Sequence, residues 1–107
     1  IFKKSYELYK EFYVSLRQFP KPDRYAVGQK CELLLSDFLE MLFQAGTLPK
    51  TEKPPYLDKA SAKLNLFRVQ LRLAKDIRAL DQKKYLALQE RADEIGRMLG
   101  GWKKSVQ

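Results

Sequence analysis

The sequence is poor in the residues that carry most enzyme and metal chemistry. Its 107 residues include no histidine and only one cysteine. Without histidine, the chain lacks the usual general base near neutral pH and the commonest metal ligand. One cysteine can form neither an intramolecular disulfide nor a thiolate zinc site. No glycine-rich loop leads into Lys-Ser or Lys-Thr, so a phosphate-cradling nucleotide loop is excluded. We therefore expect a protein without cofactor, metal or catalytic activity, which acts by binding.

Long apolar runs are also missing. No run approaches the roughly 20 apolar residues that a membrane span needs, so we expect no membrane partner. Cys31, the only cysteine, lies within an apolar helical pattern, and a single thiol of this kind suits a reducing compartment. These two features together predict a cytoplasmic protein.

What the sequence has in excess is positive charge. It contains 21 Lys and Arg residues against 13 Asp and Glu, a net charge of +8. A field of that sign favours polyanions, either nucleic acid or an acidic protein surface. Residues 57–80 alone carry six basic and two acidic residues, a net charge of +4, whereas residues 20–46 carry a net charge of −1. This contrast predicts a basic helix for binding, and the alternative is an ordinary solubilising surface.

The candidate binding residues all lie on that basic segment. Arg68, Arg72 and Lys75 are spaced by four and three residues, which aligns them on one face of a helix. Arginine suits bidentate contact with phosphate better than lysine does. The whole predicted strip consists of Lys59 and Lys63 at one end, the three aligned residues in the middle, and Arg78 at the other end.

Acidic residues of the second segment raise another possibility, a carboxylate metal pair inside a helical bundle. The three residues are Glu32, Asp37 and Glu40. Sites of the ferritin type, however, use an acidic residue followed three positions later by histidine. Because histidine is absent, a solvated helix face is the better interpretation.

Apolar residues recur at steps of three and four in four segments, the period of an amphipathic helix. The segments are about 3–19, about 24–45, about 57–80, and a fourth that begins after Asp81 and runs to Trp102, with a proline-rich loop at 47–55. The predicted core stripe of the first segment is Phe2, Tyr6, Tyr9, Tyr13 and Leu16, widened by Phe12 and Phe19. Those of the second and fourth segments are Cys31, Leu34, Leu35, Phe38, Leu39, Leu42 and Ala45, and Tyr85, Leu88, Ala92, Ile95, Leu99 and Trp102. The third segment has two apolar stripes: Leu57, Ala60, Leu64, Phe67, Leu71 and Ala74, and a second of Leu66, Val69, Leu73, Ile77 and Leu80. The pattern predicts an all-α, antiparallel four-helix bundle, with residues 1–107 as a single domain.

Local signals predict where these helices begin and end. Pro20 and Pro22 should stop the first helix because proline lacks the backbone donor and restricts the residue before it. Asp23 and Asp81 should cap the second and fourth helices at their N-termini. Gly46 should end the second helix in a left-handed conformation.

Several features of the outer helices allow two interpretations. Gly100 and Gly101 either end the fourth helix or, together with Gly96, allow another helix to approach closely. Trp102 continues the apolar stripe, so we expect it to be mostly buried. The tyrosines of the first helix could stack on nucleic acid bases, but at helical spacing they are more often part of a core.

Three groups of residues resemble a known family. They are Phe19-Pro20-Lys21 with Arg24-Tyr25 and Gly28-Gln29, then Leu71-Arg72-Leu73-Ala74-Lys75-Asp76, and, most specifically, Glu94-Ile95-Gly96-Arg97-Met98-Leu99-Gly100-Gly101-Trp102. Together they resemble the accessory variability determinants of diversity-generating retroelements. That family is related to four-helix-bundle proteins encoded within intervening sequences of ribosomal RNA genes.

The resemblance implies a function that the spacing of residues does not. Members of the family form homopentamers with a basic surface, bind a reverse transcriptase and RNA or DNA, and have no activity of their own. We therefore expect a non-enzymatic accessory protein that supports mutagenic cDNA synthesis. The alternatives are a general RNA-binding bundle linked to ribosomal RNA intervening sequences and a purely structural oligomer.

Overall fold

In a computed structural model that covers residues 1–107, the chain forms four long helices and no strand. Helix α1 spans Phe2–Leu16, and helix α2 joins Lys21–Asp23, the π-helical segment Arg24–Gly28 and Gln29–Thr47; helix α3 spans Pro54–Asp76, helix α4 spans Gln82–Ser105, and a 3₁₀ turn at Lys50–Glu52 lies between α2 and α3. The predicted all-α class is thus confirmed. None of these helices combines the length and apolar composition that crossing a bilayer requires.

Contacts between the helices show an antiparallel arrangement. Residues with higher numbers on α1 contact residues with lower numbers on α4, and the same relation holds between α3 and α4. The pairs are Lys4–Glu94 (3.5 Å between Nζ and Oε1), Glu7–Arg91 (3.6 Å between Oε2 and Nη1), Asp58–Lys103 (2.9 Å between Oδ1 and Nζ) and Lys75–Tyr85 (4.8 Å from Nζ to the ring centroid). The result is an elongated bundle of 44 × 21 × 20 Å.

One hydrophobic core runs through the bundle. The predicted stripe of α3 is buried at every position, and that of α4 is buried from Leu88 to Leu99. Across the centre, the rings of Phe12 on α1 and Phe67 on α3 meet edge to face, with centroids 5.7 Å apart. This contact joins helices that are not neighbours in the chain, so it ties the bundle together diagonally.

The predicted buried face of α1 is wrong in part. Tyr6 and Tyr13 are 62% and 46% exposed, and only Tyr9 of the three tyrosines packs against the core. The side chains that α1 buries are Ser5, Leu8, Phe12, Ser15 and Leu16. Ser15 Oγ donates to the carbonyl oxygen of Glu11 at 3.0 Å, which satisfies its buried hydroxyl. The Ser5 hydroxyl is buried without a hydrogen-bond partner in the chain.

Two predicted helix ends on α2 are also wrong. The helix begins at Lys21, with Pro22 in its first turn, and Asp23 is helical without a side-chain capping bond. Proline is compatible with a first turn because the amide that it lacks has no intrahelical acceptor there. Gly46 has no left-handed conformation, and α2 continues to Thr47. Leu48, which precedes a proline, is extended and ends the helix instead.

Helix α3 is shifted relative to its prediction, whereas the cap of α4 is confirmed. Pro54 lies in the first turn of α3, and the helix ends at Asp76 rather than at Leu80. Arg78 follows with a φ of 66°, the only positive φ of a non-glycine residue in the chain. Its amide donates to Lys75 and that of Ala79 donates to Ala74, both at 2.9 Å, which is the Schellman arrangement. Asp81 then accepts from the amide of Lys84 at 2.7 Å and caps α4.

The glycines near the end of α4 fit neither interpretation within a single chain. The helix passes through Gly100 and Gly101 and ends at Ser105, and a side chain added at either glycine would meet no atom within 4 Å. At Gly96 an added Cβ would make ordinary contacts of 3.7 and 3.8 Å. Trp102 is largely buried, in line with its prediction: it packs against the core and meets Phe2, with ring centroids 5.8 Å apart.

Alanine should therefore stabilise the folded chain more than glycine does at positions 100 and 101. We expect Gly100→Ala and Gly101→Ala each to raise the free energy of unfolding by about 0.5–1 kcal/mol, because alanine loses less backbone entropy in a helix. Urea denaturation followed by circular dichroism measures this. A loss of stability would mean that another molecule occupies the space above these glycines.

Candidate functional site

Three of the predicted binding residues lie together on the flank of α3 that faces α4. The Arg68 guanidinium pairs with the carboxylate of Asp93 on α4. The Lys75 ammonium lies 4.8 Å from the centre of the Tyr85 ring, also on α4. Arg72 lies between them in sequence, with its side chain 71% exposed. The spacing of four and three residues therefore places these side chains on one face, as predicted.

The other three predicted residues do not continue that line. The Lys63 ammonium is 3.2 Å from the carboxylate of Asp37 on α2, so Lys63 lies on the opposite flank of α3. Lys59 lies over its neighbour Tyr56, 5.4 Å from the ring centroid. Arg78 lies beyond the helix, in the left-handed turn. The prediction of a single straight strip is thus wrong for two reasons. Helix α3 ends before Arg78, and the nine residues from 59 to 68 make about two and a half helical turns, which places Lys59 and Arg68 on opposite faces.

Carboxylates neutralise part of the charge of α3. Arg68 and Lys63 pair across to other helices, while Arg72 Nε and Lys75 Nζ lie 3.8 and 3.5 Å from the carboxylate oxygens of Asp76. The Arg72–Asp76 pair is exposed, and such pairs contribute little energy because water screens them. Arg72 can therefore exchange this partner for a phosphate at low cost.

A shallow groove of about 300 Å³ lies between α3 and α4 beside Arg68. Its walls include the polar residues Ser61 and Asn65 on α3, and Asp93 and Arg97 on α4. Arg97 is exposed, and it adds a cation that the charge count on α3 missed. The short connection between α3 and α4, which places them in antiparallel register, is the sequence signal that could have found it.

The carboxylates of α2 do not come together. The chain contains no group of three or more His, Cys, Asp or Glu side chains placed to hold a metal ion. Asp37 is instead engaged by Lys63. Asp37 therefore contributes to packing between α2 and α3, whereas Glu40 is exposed on the surface.

Comparison with known proteins agrees with the resemblance drawn from the sequence motifs. No curated protein matches the chain. The family model described as bAvd-like matches residues 1–106, which is almost the entire bundle and includes both flanks of α3 and the whole of α4. Because the match covers nearly the whole chain, the chain belongs to the bAvd-like family.

Proposed function

We propose that this protein is a non-enzymatic accessory subunit of a diversity-generating retroelement. In this role it binds the reverse transcriptase and nucleic acid in the cytoplasm and supports mutagenic cDNA synthesis. The observation that carries the proposal is the family match over residues 1–106 on a chain with a net charge of +8. The absence of histidine supports a role in binding rather than in catalysis.

The α3–α4 face supports the binding part of the proposal. Arg68 of α3 and Arg97 of α4 line a groove that also includes small polar side chains. Arg72 and Lys75 follow Arg68 on the same face of α3. Arginine donors suit phosphate oxygens, and the same donors suit carboxylates on an acidic polymerase surface. Each phosphate that is neutralised releases counterions, so binding is strong at low salt and weakens steeply as salt rises.

A general RNA-binding bundle associated with ribosomal RNA intervening sequences is the second candidate, because the same charged face serves RNA without a polymerase. Co-purification of the protein with reverse transcriptases encoded beside its gene separates the two candidates. Recovery of a stoichiometric complex supports the accessory role. RNA binding without any polymerase partner supports the second candidate.

Neutralising the α3 face should reduce the salt dependence of nucleic acid binding. For single strands the slope of log affinity against log salt is about 0.7 per contacted phosphate, so Arg72→Gln with Lys75→Gln should flatten it by about 0.7 to 1.4 units. Affinity should fall similarly for all sequences, since phosphate contacts carry no base information. Fluorescence anisotropy over a salt series measures both quantities.

The matched control is Lys103→Gln with Lys104→Gln, which removes the same charge near the end of α4. Lys103 already pairs with Asp58 at 2.9 Å, so this control should change the slope less. If the Arg72 and Lys75 variant binds RNA and polymerase as tightly as the parent at every salt concentration, the binding face lies elsewhere.

We also propose that the chain assembles as a homopentamer. The outer face of α3 carries an apolar stripe that the bundle leaves uncovered: Leu66, Val69, Leu73 and Ile77 are 41%, 63%, 44% and 47% exposed. Contiguous apolar surface of this kind tends to become an interface. Because the family resemblance implies homopentamers, light scattering should report a mass near five times the 12.6 kDa of one chain.

Charge placed on the stripe should break the assembly. Val69→Lys should yield smaller species, whereas Val14→Lys on α1, at a position that is 50% exposed, should not. A 12.6 kDa species from the unmodified protein at micromolar concentration would contradict the pentamer.

A further inference from the structure

A second concave surface lies at the corner where α1 ends and α2 begins, away from the α3–α4 face. It is a pocket of about 260 Å³. Its walls combine aromatic, basic and amide or acidic side chains with a single aliphatic one: Tyr13, Leu16, Arg17, Arg24, Tyr25, Gln29 and Glu32. The predicted binding strip includes none of these residues.

The shape of this corner depends on an irregular segment of α2. Residues Arg24–Gly28 form a π-helix, and single π turns inside α-helices are frequent at functional sites. At Gly28 an added Cβ would collide with Leu16 Cδ1 and would lie 3.2 Å from the carbonyl oxygen of Asp23. Glycine at this position therefore lets the end of α1 lie directly against α2, which brings the two walls of the pocket together.

Arg24 holds the corner rigid. Its Nη2 donates to the carbonyl oxygens of Arg17 at 3.0 Å and of Phe19 at 3.3 Å, just beyond the last turn of α1. Its Nε is buried and has no acceptor within the chain. A buried donor without a partner costs free energy, and the two carbonyl bonds of Nη2 keep Arg24 in this position despite that cost.

Two tyrosines remain uncovered beside this rigid frame. Tyr13 and Tyr25 are 46% and 64% exposed although both line the pocket. The guanidinium carbon of Arg17 lies 5.9 Å from the centre of the Tyr13 ring, so a cation stands beside an aromatic face. Proteins that bind single-stranded nucleic acid stack its bases on aromatic rings and contact its backbone with basic residues such as arginine.

We propose that this corner binds an unpaired base of a single-stranded nucleic acid, which stacks on Tyr13 or Tyr25 while Arg17 contacts the adjoining phosphate. Gln29 and Glu32 line the same pocket, and they supply an amide and a carboxylate for hydrogen bonds to the edge of the base. An aliphatic side chain fits less well because it finds only Leu16 as an apolar wall. The inference rests on the nucleic acid binding proposed above, but it assigns a different site and a different contact.

The test compares two labelled single-stranded oligonucleotides of equal length, one with normal bases and one abasic. Both carry the same phosphates, so any difference in affinity reports contacts with bases. We expect the unmodified protein to bind the abasic strand about 5- to 100-fold more weakly, the range of one stacked base. Tyr13→Ala with Tyr25→Ala should remove this difference, and the salt slope should stay unchanged.

Matched variants isolate the aromatic ring. Tyr13→Phe with Tyr25→Phe keeps the stacking surface and should retain the preference for bases. Tyr6→Ala removes a tyrosine that is 62% exposed on the same helix but outside the pocket, so it should retain the preference too. Circular dichroism should be the same for all variants because these side chains are largely exposed.

The two proposals fail in different ways. Salt-dependent binding with equal affinity for both strands overturns the base site and leaves the basic face standing. A preference for bases that persists in the Tyr13 and Tyr25 alanine variant also overturns it. If that variant binds RNA normally but loses the reverse transcriptase, the corner is a protein site instead. A preference for bases that disappears only in the Tyr13 and Tyr25 alanine variant supports the base site at the corner. If the Arg72 and Lys75 variant also leaves the salt slope unchanged, the proposed binding face on α3 is contradicted.

Discussion

Replacing Phe67 with alanine should lower the free energy of unfolding by about 3–5 kcal/mol. Phe67 is fully buried, and its ring contacts that of Phe12 across the bundle, with centroids 5.7 Å apart. The substitution removes a large apolar group and leaves a cavity at the point where all four helices enclose the core. Because domains of this size are stable by only about 5–15 kcal/mol, the loss should be visible in any denaturation curve.

A neighbouring position provides the control for this substitution. Leu66 precedes Phe67 on the same helix but is 41% exposed, so Leu66→Ala should cost much less in the isolated chain. Urea titration of both variants by circular dichroism gives the comparison. Equal losses for the two substitutions would mean that the core does not pass through Phe67.

The Cys31 thiol should be almost unreactive in the folded protein. Burial raises the pKa of Cys31 from 9.0 to about 12, because desolvation disfavours the thiolate. Only the thiolate is nucleophilic, so at pH 8 its population is about a thousandfold lower than in an exposed cysteine. Alkylation by iodoacetamide, followed by mass spectrometry, should be slower by at least that factor and should become normal in urea.

A relocated thiol tests whether burial is the cause. Cys31→Ser with Ala62→Cys moves the only thiol to an exposed position of α3, and it should react at an ordinary rate. Fast labelling of the native chain at Cys31 would show that the core opens readily there. The raised pKa also implies a pH effect: the buried thiol contributes stability below pH 9 that is lost as pH rises towards 12, since only the unfolded chain releases the proton in that window.

The exposed apolar stripe on α3 and the glycines Gly100 and Gly101 on α4 are both candidates for an interface between copies of the chain. Both features are unfavourable in an isolated bundle, because exposed apolar area and helical glycine each raise its free energy. Both lie outside the core, on surfaces that a neighbouring chain can reach. Light scattering tests whether the chain assembles. The alanine substitutions at Gly100 and Gly101 test whether these glycines lie in the interface, because only a covered glycine would lose stability on substitution.

The core stripes of α3 and α4 could be predicted from the sequence because each recurs at steps of three and four, although α3 carries a second apolar stripe that the bundle leaves exposed. Every residue of the α3 stripe is buried, and Asp81 caps α4 as expected. Capping and amphipathic periodicity depend on residues within one or two turns of each other. Interactions of such short range are readable without knowledge of the partner helices, and they determined the class of fold.

The helix ends on α2 show where local signals compete. Asp23 and Gly46 are both suitable capping residues, yet the helix passes through each of them. A first turn tolerates Pro22, and packing of α2 along the bundle outweighs the small cost of a helical glycine at position 46. A capping residue therefore gives only a permitted end, and α2 ends instead where Leu48 precedes a proline.

What only the tertiary structure decided is which of two possible faces is buried and which charges remain free. On α1 the tyrosine face and the Leu8–Phe12 face have similar periodicity, and the bundle buries the second. On α3 the carboxylates of Asp37 and Asp93 come from other helices, so the separation of Lys63 from Arg68 was invisible in the chain itself. The sequence determined the helices, the core of α3 and α4 and the net charge because these depend on near neighbours. The binding surfaces depend on groups that meet only when helices pack, and the fold alone brings Tyr13 beside Tyr25.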